Sequence, residues 1–380
     1  MDEPNTGGFC LMYKRILTAC LCALLLLPAH AEEAAPADPI RTPGRETCGK
    51  PGCFWETEMD YTNEEAIWAM LSAPMTVVDG NFRSQANVYA APSEDSAVIA
   101  EVTRASQGVH VLAQLENGWT KIECYSSSFA GSEVEAWNTL VTGYILTDSL
   151  VEVSVRTEYG LIVDKLTQRL YLYHDGKLLD ELMVSTGLGT EEDPENETRS
   201  GEYLLYSATG AFPSKPYLCN YGIRYNDGDL LHEIPHIPGE NGANYTRTEK
   251  FLGQRASHGC IRVQRKRTEK GINMRWIWNN KKSMLKARMV IWEDWPGREI
   301  AIPDAETSLY YNPKGGTNYH DSPSCYAVKD SYEPMPAFPY GELDAGAYAK
   351  LSACPYCNPP LRQAEIAAVN AAHALPAAEE

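Results

Sequence analysis

The sequence predicts a mainly β protein made of two β-rich units in series, followed by a small module with cysteines and a histidine. Two observations carry that expectation. Residues 75–153 and 156–295 consist of short runs rich in Val, Ile, Tyr and Leu, interrupted by Gly, Asn and Asp turns. Helical spacing, by contrast, shows in only two short places, Asn63 to Leu71 and Ile272-Met274-Ile277-Trp278. Of the 380 residues, 44% are hydrophobic and 22% charged, which is the composition of folded domains with real cores. Fifty-one Asp and Glu against 33 Lys and Arg leave a net charge of −18. That balance argues against nucleic acid and against anionic lipid as partners, because both need concentrated Lys and Arg.

The N-terminus reads as an export signal over residues 1–31. Lys14 and Arg15 precede an apolar run of 12 residues, Ile16 to Leu27, and Ala29-His30-Ala31 is an A-x-A cleavage pattern. Met12 is the alternative start. Leu17 to Cys20 has the letters of a lipoprotein box but stands ahead of the apolar stretch. The run is too short for a stable membrane span, which needs about 20 apolar residues. The expected location is extracytoplasmic, secreted or periplasmic, where eleven cysteines are unexceptional.

Residues 32–74 read as an Ala/Pro/Glu-rich linker followed by the short helix. Within them, Cys48 and Cys53 flank a turn that a disulfide could close. In residues 75–153, Val109 to Ala113 is a strand and Glu116 to Trp119 a tight turn entering a second strand. Between 156 and 295, Leu161–Asp164, Arg169–Tyr173 and Leu178–Val184 form a three-strand meander, and Ala287–Trp292 closes the unit. Arg265-Lys266-Arg267 reads as an exposed basic face. Residues 305–362 form a small module with cysteines and a histidine, and the Ala-rich tail, 363–380, has no strong signal.

The motif with chemistry in it is Ser257-His258-Gly259-Cys260-Ile261-Arg262-Val263. A cysteine attacks as thiolate and needs a base or cation nearby, because its free pKa is about 8.5. Gly259 allows close backbone approach, so the Gly259 and Cys260 amides could face a developing oxyanion. Alone, His-Gly-Cys would suit a buried cysteine or a disulfide as well.

The segment resembles the signature of the L,D-transpeptidase (YkuD-like) family. The resemblance extends to Ile162-Val163-Asp164, Leu170-Tyr171-Leu172-Tyr173, Val184-Ser185-Thr186-Gly187, Thr198-Arg199-Ser200-Gly201 and Phe251-Leu252-Gly253. It implies a cysteine acyltransferase that needs no cofactor. Cys260 would attack the L,D amide of a peptidoglycan stem tetrapeptide and release D-Ala. An amine would then resolve the thioester into a 3→3 cross-link. Water as acceptor would make an L,D-carboxypeptidase, and a decayed site a wall-binding protein. The resemblance also implies inhibition by carbapenems.

In this reading His232 is the base, His258 shapes the loop, and Ser257, Arg262 and Arg224 face substrate. Two departures stand out. Arg199 replaces the family's Pro, a change expected to matter only to the turn. The upstream histidine is displaced: 24 residues separate His232 from Ser257, and 20 separate His236, the reserve candidate. The stretch Pro238 to Gly242 reads as a surface insertion, which loop-closure entropy tolerates.

Residues 75–153 similarly resemble a bacterial SH3-like β-barrel through Asn87-Val88-Tyr89, Asn117-Gly118-Trp119 and Thr142 to Ile145. Tyr89 stands where that family has Arg, and a plain β-barrel spacer is the competing reading. In the C-terminal module, His320, Cys325, Cys354 and Cys357 have the count and type of a closed structural zinc site. An oxidising compartment favours a disulfide there instead. Both readings stand on sequence alone.

Overall fold

In the computed structural model, the described residues are 60–374, apart from 62, 241, 295, 296, 326, 355 and 358. The export signal, the linker and the Cys48–Cys53 turn lie outside them. The chain enters through the helix Glu64–Ser72. Asn63 caps it by accepting the Ala66 amide at 3.1 Å, and Glu64 and Glu65 suit the positive end of its dipole. Ile67, Met70 and Leu71 form its apolar stripe, packed on Ile162, Tyr173, Val290 and Trp292.

The strands Gln85–Tyr89, Val98–Thr103, His110–Gln114, Trp119–Tyr125 and Leu140–Leu146 make a five-stranded sheet. Ala86, Val88, Ala100, Val102, Ile122, Cys124 and Ile145 fill its core. Met75–Val78 pairs antiparallel with Leu150–Val153 as a separate ribbon. Gly118, at φ +81°, supplies the left-handed position that the turn into Trp119 requires.

A nine-stranded sheet follows. Its centre is the expected meander, Tyr159–Asp164, Arg169–His174 and Lys177–Ser185, antiparallel throughout. Two contacts are parallel: Arg288–Trp292 beside Tyr159–Asp164, and Leu230–Glu233 beside Ile261–Val263. Leu161, Val163, Leu170, Leu172, Leu182, Val184, Leu231, Ile261 and Val263 build the core. The helix Met274–Asn279, capped by Asn273 on the Trp276 amide at 2.9 Å, covers it with Met274 and Ile277. Ile272 is buried but lies ahead of that helix, so the expected helical run is shorter than its spacing implied.

The C-terminal module is a four-stranded sheet in the order Ala337–Pro339, Ser308–Tyr311, Asn318–His320, Ser352–Ala353. The tail corrects the sequence reading, because Gln363–Ala372 is a helix. The Arg362 amide donates to Glu365 at 2.9 Å, Ile366 is buried, and the Asn370 side chain bonds both backbone groups of Ile300. These are tertiary supports that an Ala-rich stretch does not advertise. The basic triplet is corrected as well. Arg265 pairs with Glu249 at 2.9 Å, Lys266 lies over the Tyr356 ring, and Arg267 alone of the three is exposed.

Candidate active site

The Ser257–Cys260 turn is held from three sides. The Ser257 amide donates to Thr186 O at 3.0 Å, and its hydroxyl donates to the Cys260 carbonyl. Gly259 has φ +110°, and a Cβ there would run into the Asp229 carboxylate. Its carbonyl accepts from Thr198 Oγ1 at 2.7 Å and from the Tyr225 hydroxyl at 3.3 Å. In a trans peptide the carbonyl and the next N–H point oppositely, so pinning Gly259 O aims the Cys260 N–H away from Thr198 and Tyr225.

Cys260 stands at the start of the strand Ile261–Val263, half-buried. The parallel register sets Leu231 against Ile261 and His232 against Arg262. Leu231, Ile261 and Val263 point into the core, so strand alternation puts His232, Arg262 and Cys260 on the opposite face. His232 is 2% exposed. Its Nδ1 lies 2.6 Å from the Glu233 carbonyl, which can only accept, so Nδ1 carries the proton and Nε2 keeps its lone pair. The Phe212 ring meets the imidazole edge-on at 5.3 Å.

Burial dominates both groups' electrostatics. It drives the His232 pKa down to about 4 against the pull of the Glu233 carbonyl, and the Arg262 charge lowers it further. The Cys260 thiol is pushed up to about 12, first by burial and then by Asp229, while the Leu230 backbone amide favours the thiolate. At neutral pH the resting pair is therefore thiol and neutral imidazole.

The other expected residues are scattered around this centre. His236 is buried, its backbone paired both ways with Leu218 and its ring 5.2 Å from Tyr245. Pro238, Gly239 and Gly242 are exposed in a hairpin of Ile237–Gly239 with Gly242–Asn244. His258 is exposed. Arg262 is half-buried, its Nε shielded from solvent without a hydrogen-bond partner, and Arg224 shares that feature while donating to Asp227 O.

Arg199 overturns its sequence reading. Far from affecting only a turn, it is 3% exposed and donates to Asp229 Oδ2 at 3.1 Å and to Ser128 O at 2.8 Å. Its guanidinium lies 4.4 Å over the Phe129 ring, so it ties a loop beside the five-stranded sheet to Asp229 and the Ser257–Cys260 turn. Asn226 also donates to Asp229, at 3.3 Å, and itself accepts from Thr103. Burial raises the Asp229 pKa, and Arg199 opposes that rise. Arg199→Met would strand a buried carboxylate against Cys260. We expect it to cost about 3–5 kcal/mol of unfolding free energy. Arg199→Met/Asp229→Asn together should recover more than half of that loss in chemical denaturation. Strictly additive losses in that cycle would contradict the pairing.

A mainly β sheet with a Ser-His-Gly-Cys turn leading into one of its inner strands goes with a domain class: residues 158–291 match the YkuD family model, described as the L,D-transpeptidase catalytic domain. This segment is an L,D-transpeptidase-type catalytic domain. No curated protein matches the chain. Among solved structures, it is similar to an L,D-transpeptidase of Xylanimonas cellulosilytica at 20% identity, with 35% of this chain and 60% of that one covered and a TM-score of 0.26. An Enterococcus faecium L,D-transpeptidase mutant is 17% identical over 36% of this chain and 50% of that one, with a TM-score of 0.25. One from Mycobacterium tuberculosis is 14% identical over 63% and 89%, with a TM-score of 0.28. The chain thus spans 60% of the length of the first of these structures.

Proposed function

We propose that this protein is a peptidoglycan L,D-transpeptidase with Cys260 as nucleophile and His232 as general base. The observation that carries the reading is the His232–Glu233 hydrogen bond, which leaves Nε2 as acceptor on the face that Cys260 shares. His232 Nε2 takes the thiol proton as sulfur attacks the carbonyl of the stem's third residue. The Gly259 and Cys260 amides receive the oxyanion, a contribution of about 3–4 kcal/mol per donor. The carbon–nitrogen bond to D-Ala breaks, and the imidazolium gives its proton to the departing amine. A second stem's side-chain amine then attacks the thioester, forming the 3→3 amide and returning the thiol.

Arg262 and Arg224 offer charge to stem carboxylates. Ser257 braces the Cys260 carbonyl, and His258 lines the approach. No cofactor enters these steps. Carbapenems fit the same nucleophile, and the catalytic domain of an Enterococcus faecium L,D-transpeptidase has been solved acylated by ertapenem. Peptidoglycan as substrate places the mature protein outside the cytoplasmic membrane. No helix of the described residues is long and apolar enough to cross a membrane. The SH3-like reading of residues 75–153 makes that unit a wall-peptide module or a buttress of the catalytic turn, and the Arg199–Ser128 contact favours the buttress.

Mass spectrometry of disaccharide-tetrapeptide incubated with the full chain tests the reading. A dimer lacking one D-Ala supports it. Tripeptide alone would mean an L,D-carboxypeptidase, and unchanged substrate would mean a binding protein.

A further inference from the structure

Away from the transpeptidase face, the C-terminal module gathers His320, Cys325, Cys354 and Cys357 so that one ligand atom from each lies within 4.8 Å of the others. Cys325 Sγ is 3.8 Å from Cys354 Sγ, and Cys357 Sγ is 3.7 Å from His320 Nδ1. A tetrahedral zinc ion, with Zn–S of about 2.3 Å and Zn–N of about 2.0 Å, sets edges of about 3.8 Å between sulfurs and about 3.5 Å between sulfur and nitrogen. A disulfide would need its sulfurs at about 2.0 Å and would leave two of the four groups without a task.

The surroundings suit thiolates. Backbone amides donate to each sulfur: Ala327 to Cys325 at 3.5 Å, Tyr356 to Cys354 at 3.4 Å, and Asp321 to Cys357 at 3.3 Å. Hydrogen bonds of this kind favour the charged sulfur and orient the ligand. His320, Cys325 and Cys354 are buried and Cys357 half-buried, so four protein ligands close the site to substrate.

The position explains what a metal would hold. His320 ends the strand Asn318–His320, whose parallel neighbour Ser352–Ala353 runs directly into Cys354. Between His320 and the strand Ala337–Pro339 lies a loop in which, among the described residues, Cys325 and Met335 are the buried apolar side chains. The module's other core is six residues, Leu309, Tyr319, Phe338, Tyr340, Leu343 and Leu351. A core so small gains its stability from a staple.

We propose that His320, Cys325, Cys354 and Cys357 bind one zinc ion, in a closed S₃N site that ties the two strand ends and the loop of this module together. The site is structural and independent of Cys260 chemistry. Elemental analysis of the full chain, purified without a histidine tag, should find about one zinc per chain, against less than about 0.1 in Cys354→Ser. Should that variant not fold, wild-type protein stripped by a chelator and loaded with cobalt(II) should show thiolate-to-cobalt charge transfer and the strong visible bands of a tetrahedral ion. Less than about 0.2 zinc with no cobalt bands overturns the site. So does a Cys325–Cys354 disulfide in mass mapping of the native protein.

Discussion

Cys260→Ala should lower turnover of stem tetrapeptide by at least about 10³-fold, because the acyl intermediate of the proposed reaction forms on its sulfur. Cys124→Ser and Cys219→Ala should leave it within about five-fold, since neither thiol can replace a positioned nucleophile. Cys124 is fully buried in the core of the five-stranded sheet, where burial pushes its thiol up. Cys219 sits 2% exposed on the strand Tyr217–Arg224, which Leu230–Glu233 separates from Ile261–Val263, and burial raises its pKa to about 11. Product formation by high-performance liquid chromatography separates the three variants. Substantial turnover by Cys260→Ala would move the nucleophile elsewhere.

His232→Gln should slow acylation by about 10²–10⁴, the usual scale for a general base. The glutamine can keep a hydrogen bond to Glu233 O but takes no proton. His236→Gln, whose ring packs on Tyr245, should fall far short of that loss. The pH profile carries the same assignment. With the imidazole pKa near 4 and the thiol near 12, the fraction of thiolate–imidazolium pair is flat between them. Acylation should therefore rise along a limb centred near pH 4, below the 6.5 of an ordinary histidine, and level off through neutrality.

Stability should change over the window just above that limb. Between pH 6.5 and about 4 the unfolded chain binds a proton at His232 that the folded chain does not, so unfolding free energy falls as pH falls. The loss approaches about 3 kcal/mol at the lower end. His232→Gln should lack it in urea titrations at matched pH. An equal loss in the variant would contradict the buried neutral imidazole.

Much of this site was visible in the chain before any geometry. The β-branched runs at Leu161–Asp164 and Ala287–Trp292 have no other good use, and Ser257 to Val263 joins a glycine to a cysteine at a strand mouth. Local pattern cannot show which strands become neighbours. The parallel contact of Leu230–Glu233 with Ile261–Val263 gives His232 its place, and it joins segments separated by an insertion of unpredictable path. Arg199 and Asp229 are 30 positions apart and meet only in the fold. The sole hint was an arginine where the motif has proline. The helix Gln363–Ala372 went unseen for a different reason: small residues on most of its surface leave too weak an apolar stripe to distinguish it from a linker.

The most direct measurement of the central claim is the intact mass of the protein after incubation with a carbapenem, followed by peptide mapping. If Cys260 is the activated nucleophile, one drug mass appears on the peptide carrying Ser257-His258-Gly259-Cys260, and none appears on Cys260→Ala. Adduct on Cys219 or Cys357, or no adduct on the wild-type chain at all, would contradict it.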